Sequence, residues 1–148
     1  MKRCFVMGHS DAPIKLLPDL SAEIERHITE YGVTEFLVGS YGSFDSLAAK
    51  ALEDAKKCCS EVTLTLLLAY HPGMRSKKLP EGFDGSLYPP DMEKVPKRLA
   101  IVRANHYAVD SSSFMIAYAW KPGNTKKIVE YAQGRERRGQ IQITLLPK

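Results

Sequence analysis

The 148 residues include only three cysteines, a single tryptophan and no apolar run of membrane-spanning length. Cys4, Cys58 and Cys59 form no CxxC pair and no evenly spaced framework, and two adjacent thiols are poorly placed to bridge each other. A disulfide scaffold is therefore not expected, and a reducing, cytoplasmic setting is. The stretch Leu64 to Tyr70 falls far short of the roughly 20 residues of a membrane helix. Met1-Lys2-Arg3 leads into too few apolar residues before Gly8 for a secretory leader, so the chain is expected to be mature as written. Of the histidines His9, His27, His71 and His106, no pair has zinc-ligand spacing, and the cysteines complete no site, so no metal is expected. The chain lacks GxGxxG, a Walker loop, HExxH and the GxSxG elbow, which weighs against dehydrogenase, NTPase, zinc-peptidase and acyl-transfer chemistry.

What is present describes one globular domain spanning residues 1–148. Hydrophobic residues make up 44% of the chain, enough for a substantial core at this length. The net charge is +4, from 21 basic and 17 acidic residues, and it sits in the second half. No Lys/Arg run exceeds two residues. That pattern points to a small phosphorylated ligand rather than to nucleic acid. Arg135, Arg137 and Arg138 follow the last expected helix and are read as covering its carboxyl end.

Short apolar runs stopped by glycine or turn residues alternate with helical stripes. Strands are expected at 3–8, 34–39, 62–69, 113–120 and 141–146. The first helix carries Leu17, Leu20, Ile24 and Ile28 and stops at Gly32. The second carries Phe44, Leu47, Ala48, Ala51, Leu52 and Ala55. A third is expected from about Pro96 to Asp110, with Leu99, Val102, His106 and Val109 on one face, and a last from Asn124 to about Gln133. This alternation predicts an α/β fold with right-handed crossovers and a mainly parallel sheet. Residues 71–97 hold five of the nine prolines and are read as a long loop, of the kind that forms lids or binding surfaces.

Three glycine-bearing turns fall at the carboxyl ends of expected strands: Gly8-His9-Ser10, Gly39-Ser40-Tyr41-Gly42-Ser43 and Gly123-Asn124-Thr125. In an open α/β sheet this edge binds ligands. Glycines there let backbone amides approach a phosphate, and the helix starts at Ser43 and Asn124 offer unpaired N–H groups. The alternative is that they only make turns and cap helices. Asp45, in the first turn of its helix, is placed either to favour the helix dipole or to accept a hydrogen bond from a sugar or base. Arg103 and Asp110 share a helix face, and arginine is suited to bidentate phosphate contact. His9 follows the first strand at the ligand edge.

At these residues the chain resembles the SLOG superfamily, specifically its bacterial YpsA-like branch, over about residues 3–146. The resemblance rests on Gly8-His9-Ser10, on Val38-Gly39-Ser40-Tyr41-Gly42-Ser43-Phe44-Asp45, on Arg103-x-Asn105 with Val109-Asp110, and on Gly123-Asn124-Thr125 leading to Glu130-Tyr131-Ala132. It implies a Rossmann-like three-layer sandwich with a five-stranded sheet of order 3-2-1-4-5 and helices on both faces. It also implies a nucleotide-type ligand at the strand carboxyl ends, and related branches include phosphoribohydrolases that cleave the N-glycosidic bond of nucleoside monophosphates. The chain departs from that hydrolase pattern. Asn124 stands where a second glycine is typical, and Glu130 comes five residues after Thr125.

Three functional readings follow. The first is a ligand-binding module that needs no resident cofactor. In it Gly8, His9, Gly39, Ser40, Gly42, Ser43, Gly123, Asn124 and Thr125 form the binding edge, Arg103 supplies charge, Asp45 or Asn105 orients sugar or base, and Asp110 counts among the ligand-binding residues. The second is an N-glycoside hydrolase acting on nucleoside monophosphates or NAD-like substrates, with Asp45, Asp110 or Glu130 as the assisting carboxylate and His9 as acid. The third is a partner-binding protein with a vestigial pocket. Homo-oligomerisation is compatible with this fold class, and no feature sets the number of subunits.

Overall fold

The computed structural model describes residues 2–39, 42–70 and 79–147. Strands β1 (Arg3–Gly8), β2 (Glu35–Val38), β3 (Thr63–Leu67), β4 (Gly85–Leu87), β5 (Phe114–Tyr118) and β6 (Gln142–Leu145) form one sheet. Its order is β4-β3-β2-β1-β5-β6, and every neighbouring pair is parallel. The helices are α1 (Leu17–Thr29), α2 (Ser43–Cys58), α3 (Ala100–Asp110) and α4 (Asn124–Glu136). Among the described residues no helix is long and apolar enough to cross a membrane.

The expectation of five strands in the order 3-2-1-4-5 is corrected to six. The added strand, β4, lies beside β3 at the sheet edge, inside the segment read as loop. Gly85-Ser86-Leu87 is too short to show an alternating pattern, and it pairs because β3 offers a free edge with Thr65, Leu66 and Leu67 in register. Asp84 fastens it. Its carboxylate accepts the Leu64 amide at 2.8 Å and the Lys56 ammonium at 2.6 Å, and these two bonds hold it below the usual carboxylate range. Of the segment 71–97, residues 71–78 lie outside the described residues.

Alternation along each strand divides the core into two layers. Cys4, Val6, Phe36, Val38, Leu64 and Ile116 pack with Leu20, Ile24, Phe44, Ala48 and Leu52 of α1 and α2. Phe5, Met7, Leu37, Met115 and Ala117 face α3 and α4. The inner face of α3 differs from the expected one. Ala100, Ala104, Ala108 and Val109 are buried, whereas Leu99, Ile101 and Val102 are exposed. His106 stacks on Tyr131 with ring centroids 4.2 Å apart. Alanines at a spacing of four make up most of this inner face, and the larger side chains turn outward. At the far sheet edge, the Gln142 amide donates to the Ser113 carbonyl just before β5 and the Leu146 amide to the Ala117 carbonyl within it, and the outward Ile143 amide donates to the Glu136 carboxylate at 2.8 Å.

His27 sits fully buried on α1. Its Nδ1–H donates to the Glu23 carbonyl at 2.7 Å, and its ring lies edge-on to Tyr31 and Phe114. Nε2 has no partner among the described residues, so charging the ring would bury an uncompensated N–H⁺, and burial depresses its pKa. The ordinary imidazole value is about 6.5. Stability from this group is therefore complete above that value and is lost as pH falls through and below it. His9 is shifted the same way. The unfolding free energy is expected to decline between about pH 6.5 and 5. His27→Phe, which keeps an aromatic ring in the cluster, should flatten that slope in urea titrations at stepped pH. An unchanged slope would show that His27 does not carry it.

Candidate functional site

β1 lies between β2 and β5, and the chain winds outward from it in both directions, so the topological switch point lies between β1 and β5. Ligands of open α/β sheets bind at such a point, above the strand carboxyl ends. A cavity of about 280 Å³ occupies this place. Its lining includes Gly8 and Ser10 after β1, Gly39 after β2, Gly42 and Asp45 at the start of α2, and Asn124 and Thr125 at the start of α4. Arg98, Ile101, Val102 and Asn105 form the wall, and Phe5, Met7 and Ile128 the floor.

Two glycines make room for this arrangement. A Cβ on Gly8 would lie 2.5 Å from Cγ of Phe44, the buried residue of α2's first turn. A Cβ on Gly42 would lie 2.5 Å from Cα of Ser10, so the turns after β1 and β2 meet backbone to backbone. The Ser43 amide donates to the Ser10 carbonyl at 2.8 Å and fixes that contact. Gly123 precedes α4 with φ +142°, a conformation open to glycine and strained for other residues. The residues preceding α2 and α4 are glycines, Gly42 and Gly123, which carry no side chain to cap those helices. The partial positive charge of both helix ends is thus directed at the cavity rim.

His9 is 5% exposed and serves the loops rather than the cavity. Its Nε2 accepts the Lys121 backbone amide at 3.2 Å, and its ring lies edge-on to Tyr118 and Trp120. Burial, with the Lys121 charge second, lowers its pKa and keeps Nε2 a bare acceptor. The Lys121 ammonium also pairs with Asp11 at 2.6 Å. The loops after β1 and β5 are thus stitched together next to the cavity.

Of the residues singled out from the sequence, the fold gathers Gly8, Gly39, Gly42, Asp45, Asn105, Asn124 and Thr125 around one cavity. Gly123 adjoins it as the residue before α4. Ser43 is exposed, and its amide is already bonded to Ser10. Arg103 is exposed on α3 and does not line the cavity, nor does the exposed Glu130 on α4. Asp110 ends α3 at the opposite edge of the sheet, where it accepts the Tyr131 hydroxyl at 2.7 Å and faces Arg135 at 3.3 Å. Ser40 lies outside the described residues. Among the described residues no three side chains of metal-ligating type come together.

The wall residues Arg98, Ile101 and Val102 were not foreseen. Their signal was present, since Arg98, Ile101, Val102 and Asn105 follow the spacing of a single helical stripe. It was masked by the assumption that the larger apolar residues of α3 face the core. Compared with known proteins, the chain matches no family model and no curated protein.

Proposed function

We propose that this chain is a cytoplasmic nucleotide-binding module of the SLOG type, holding a small phosphorylated nucleoside derivative above β1, β2 and β5. The observation that carries the reading is the convergence of two glycine turns and the starts of α2 and α4 on one cavity at the switch point. In this reading the backbone at Gly39 and Gly42 and the amides and side chains of Asn124 and Thr125 donate to phosphate oxygens. Arg98, which lines the cavity, takes the charge-supplying role that the sequence suggested for Arg103. In this reading Asp45, which lines the cavity, accepts from a ribose hydroxyl. The free thiols Cys4, Cys58 and Cys59 suit a reducing compartment.

A nucleotide panel tests the proposal. A ligand present at 100 times its dissociation constant should stabilise the protein by roughly 2.7 kcal/mol, read as a rise in melting temperature. Trp120, in the loop between β5 and α4, offers an intrinsic fluorescence readout. No shift with any nucleoside mono-, di- or triphosphate at millimolar concentration would overturn the reading.

A hydrolytic second reading has one observation in its favour: Asp45 is the carboxylate among the described lining residues. It requires release of free base from a nucleoside monophosphate, abolished in Asp45→Asn. Binding without release leaves the module reading alone.

A further inference from the structure

We infer that the cavity takes a single nucleotide whose base lies against the Ile101–Val102 wall of α3, its edge toward Asn105, and that this wall selects the ligand. The inference rests on the nucleotide reading above and adds the part of the ligand that the glycine turns do not explain.

The first observation is the reversed packing of α3. Ala100, Ala104 and Ala108 point inward, while Ile101 and Val102 are each left 37% exposed. Exposing branched apolar side chains forgoes the stabilisation that their burial would supply. Here they do not face open solvent at random. With Arg98 and Asn105 they form one stripe, and that stripe lines the cavity that the glycine turns rim.

The second observation is the polarity of the cavity from rim to depth. The strands run parallel, and α3 leads back to the start of β5, so α3 begins at the ligand edge and descends. Arg98, in the 3-10 turn Lys97–Leu99 just before α3, is therefore nearest the rim, Ile101 and Val102 follow in the first turn of α3, and Asn105 lies about one turn deeper at 5.4 Å per turn. Phe5, Met7 and Ile128 close the apolar floor. Backbone donors and a guanidinium thus lie at the rim, with an apolar slot ending in an amide below. A nucleotide has the same order of parts: phosphate, sugar, then a flat base with a hydrogen-bonding edge. Asn105 carries both a donor and an acceptor, which reading such an edge requires.

The third observation is size. A volume of about 280 Å³ lies just below the usual range of small-molecule sites, about 300–1,000 Å³. That is room for one nucleotide unit within the walls.

Calorimetric titration of the intact protein with nucleoside 5′-monophosphates, ribose 5-phosphate and NAD tests this. The monophosphates of at least one base should bind tenfold or more tighter than ribose 5-phosphate, and NAD should bind more weakly than they do. Val102→Asn and Ile101→Asn should each remove most of that advantage, lowering monophosphate affinity by a larger factor than ribose 5-phosphate affinity. Asn105→Ala should narrow the spread among bases. Equal binding of ribose 5-phosphate and the monophosphates, or wall variants without effect, would overturn the inference while the phosphate-edge reading stands. Tighter binding of NAD would overturn the single-nucleotide assignment. Absence of binding by every probe would remove both readings together.

Discussion

Phe44→Ala is expected to lower the unfolding free energy by about 3–5 kcal/mol. Phe44 is fully buried, it occupies the first turn of α2, and its ring lies parallel to that of Tyr118 at a centroid distance of 6.2 Å. Gly8 at the end of β1 packs directly on it. Truncation therefore removes the transfer energy of an aromatic side chain and leaves a void bounded by backbone and by residues of β5. Neither side can collapse without shifting the sheet edge. The void would also adjoin Gly8 and the start of α2, so affinity at the cavity should fall together with stability. Urea denaturation should show a lower midpoint with an unchanged slope. A loss under about 1 kcal/mol would show that the ring is not packed as described.

Gly42→Ala is expected to be the most damaging change to binding, with a stability loss of about 1–3 kcal/mol. The φ of Gly42 is −175°, so backbone strain is not the reason. The cause is space, because the added methyl would meet Cα of Ser10 at 2.5 Å and the turns after β1 and β2 would have to separate. That movement would pull Ser43 from the Ser10 carbonyl and displace the cavity rim. A contrast with Gly8→Ala isolates the mechanism. There the obstacle is the Phe44 ring, a side chain, so adding Phe44→Leu should partly restore the stability of Gly8→Ala. No such rescue exists at Gly42, since Ser10→Gly would remove a Cβ and leave the offending Cα. Melting temperatures and nucleotide affinities of the two pairs check this. Recovery of Gly42→Ala by Ser10→Gly would contradict the backbone contact.

Five of the six strands and all four helices were legible because each is a burial pattern in one dimension. Arg3–Gly8, for example, is an apolar run ended by glycine, and it is central in the sheet. β4 was not legible, because a three-residue strand has no period and exists only through its partner β3 and the Asp84 fastening. The orientation of α3 was misread for a different reason. Hydrophobicity ranks leucine, isoleucine and valine above alanine, yet here alanines fill most of the face turned to the core while Ile101 and Val102 line the cavity. The glycine turns were readable because they need no tertiary information. His9 and Asp110 were not: whether a histidine or an aspartate faces a cavity, a loop or a neighbouring helix depends on side-chain partners distant in the chain, here Lys121 and Tyr131.

The carboxylate of Glu136 beside β6 also bears on how copies of this chain could meet. A parallel sheet presents at its outer strand a row of amides and carbonyls able to accept a strand from another molecule, and such an edge invites indiscriminate association. Here the Ile143 amide is already taken by a negatively charged side chain of the same chain. An incoming strand would have to displace that carboxylate and then lie against its charge. Self-assembly by continuing the sheet through β6 is thereby disfavoured.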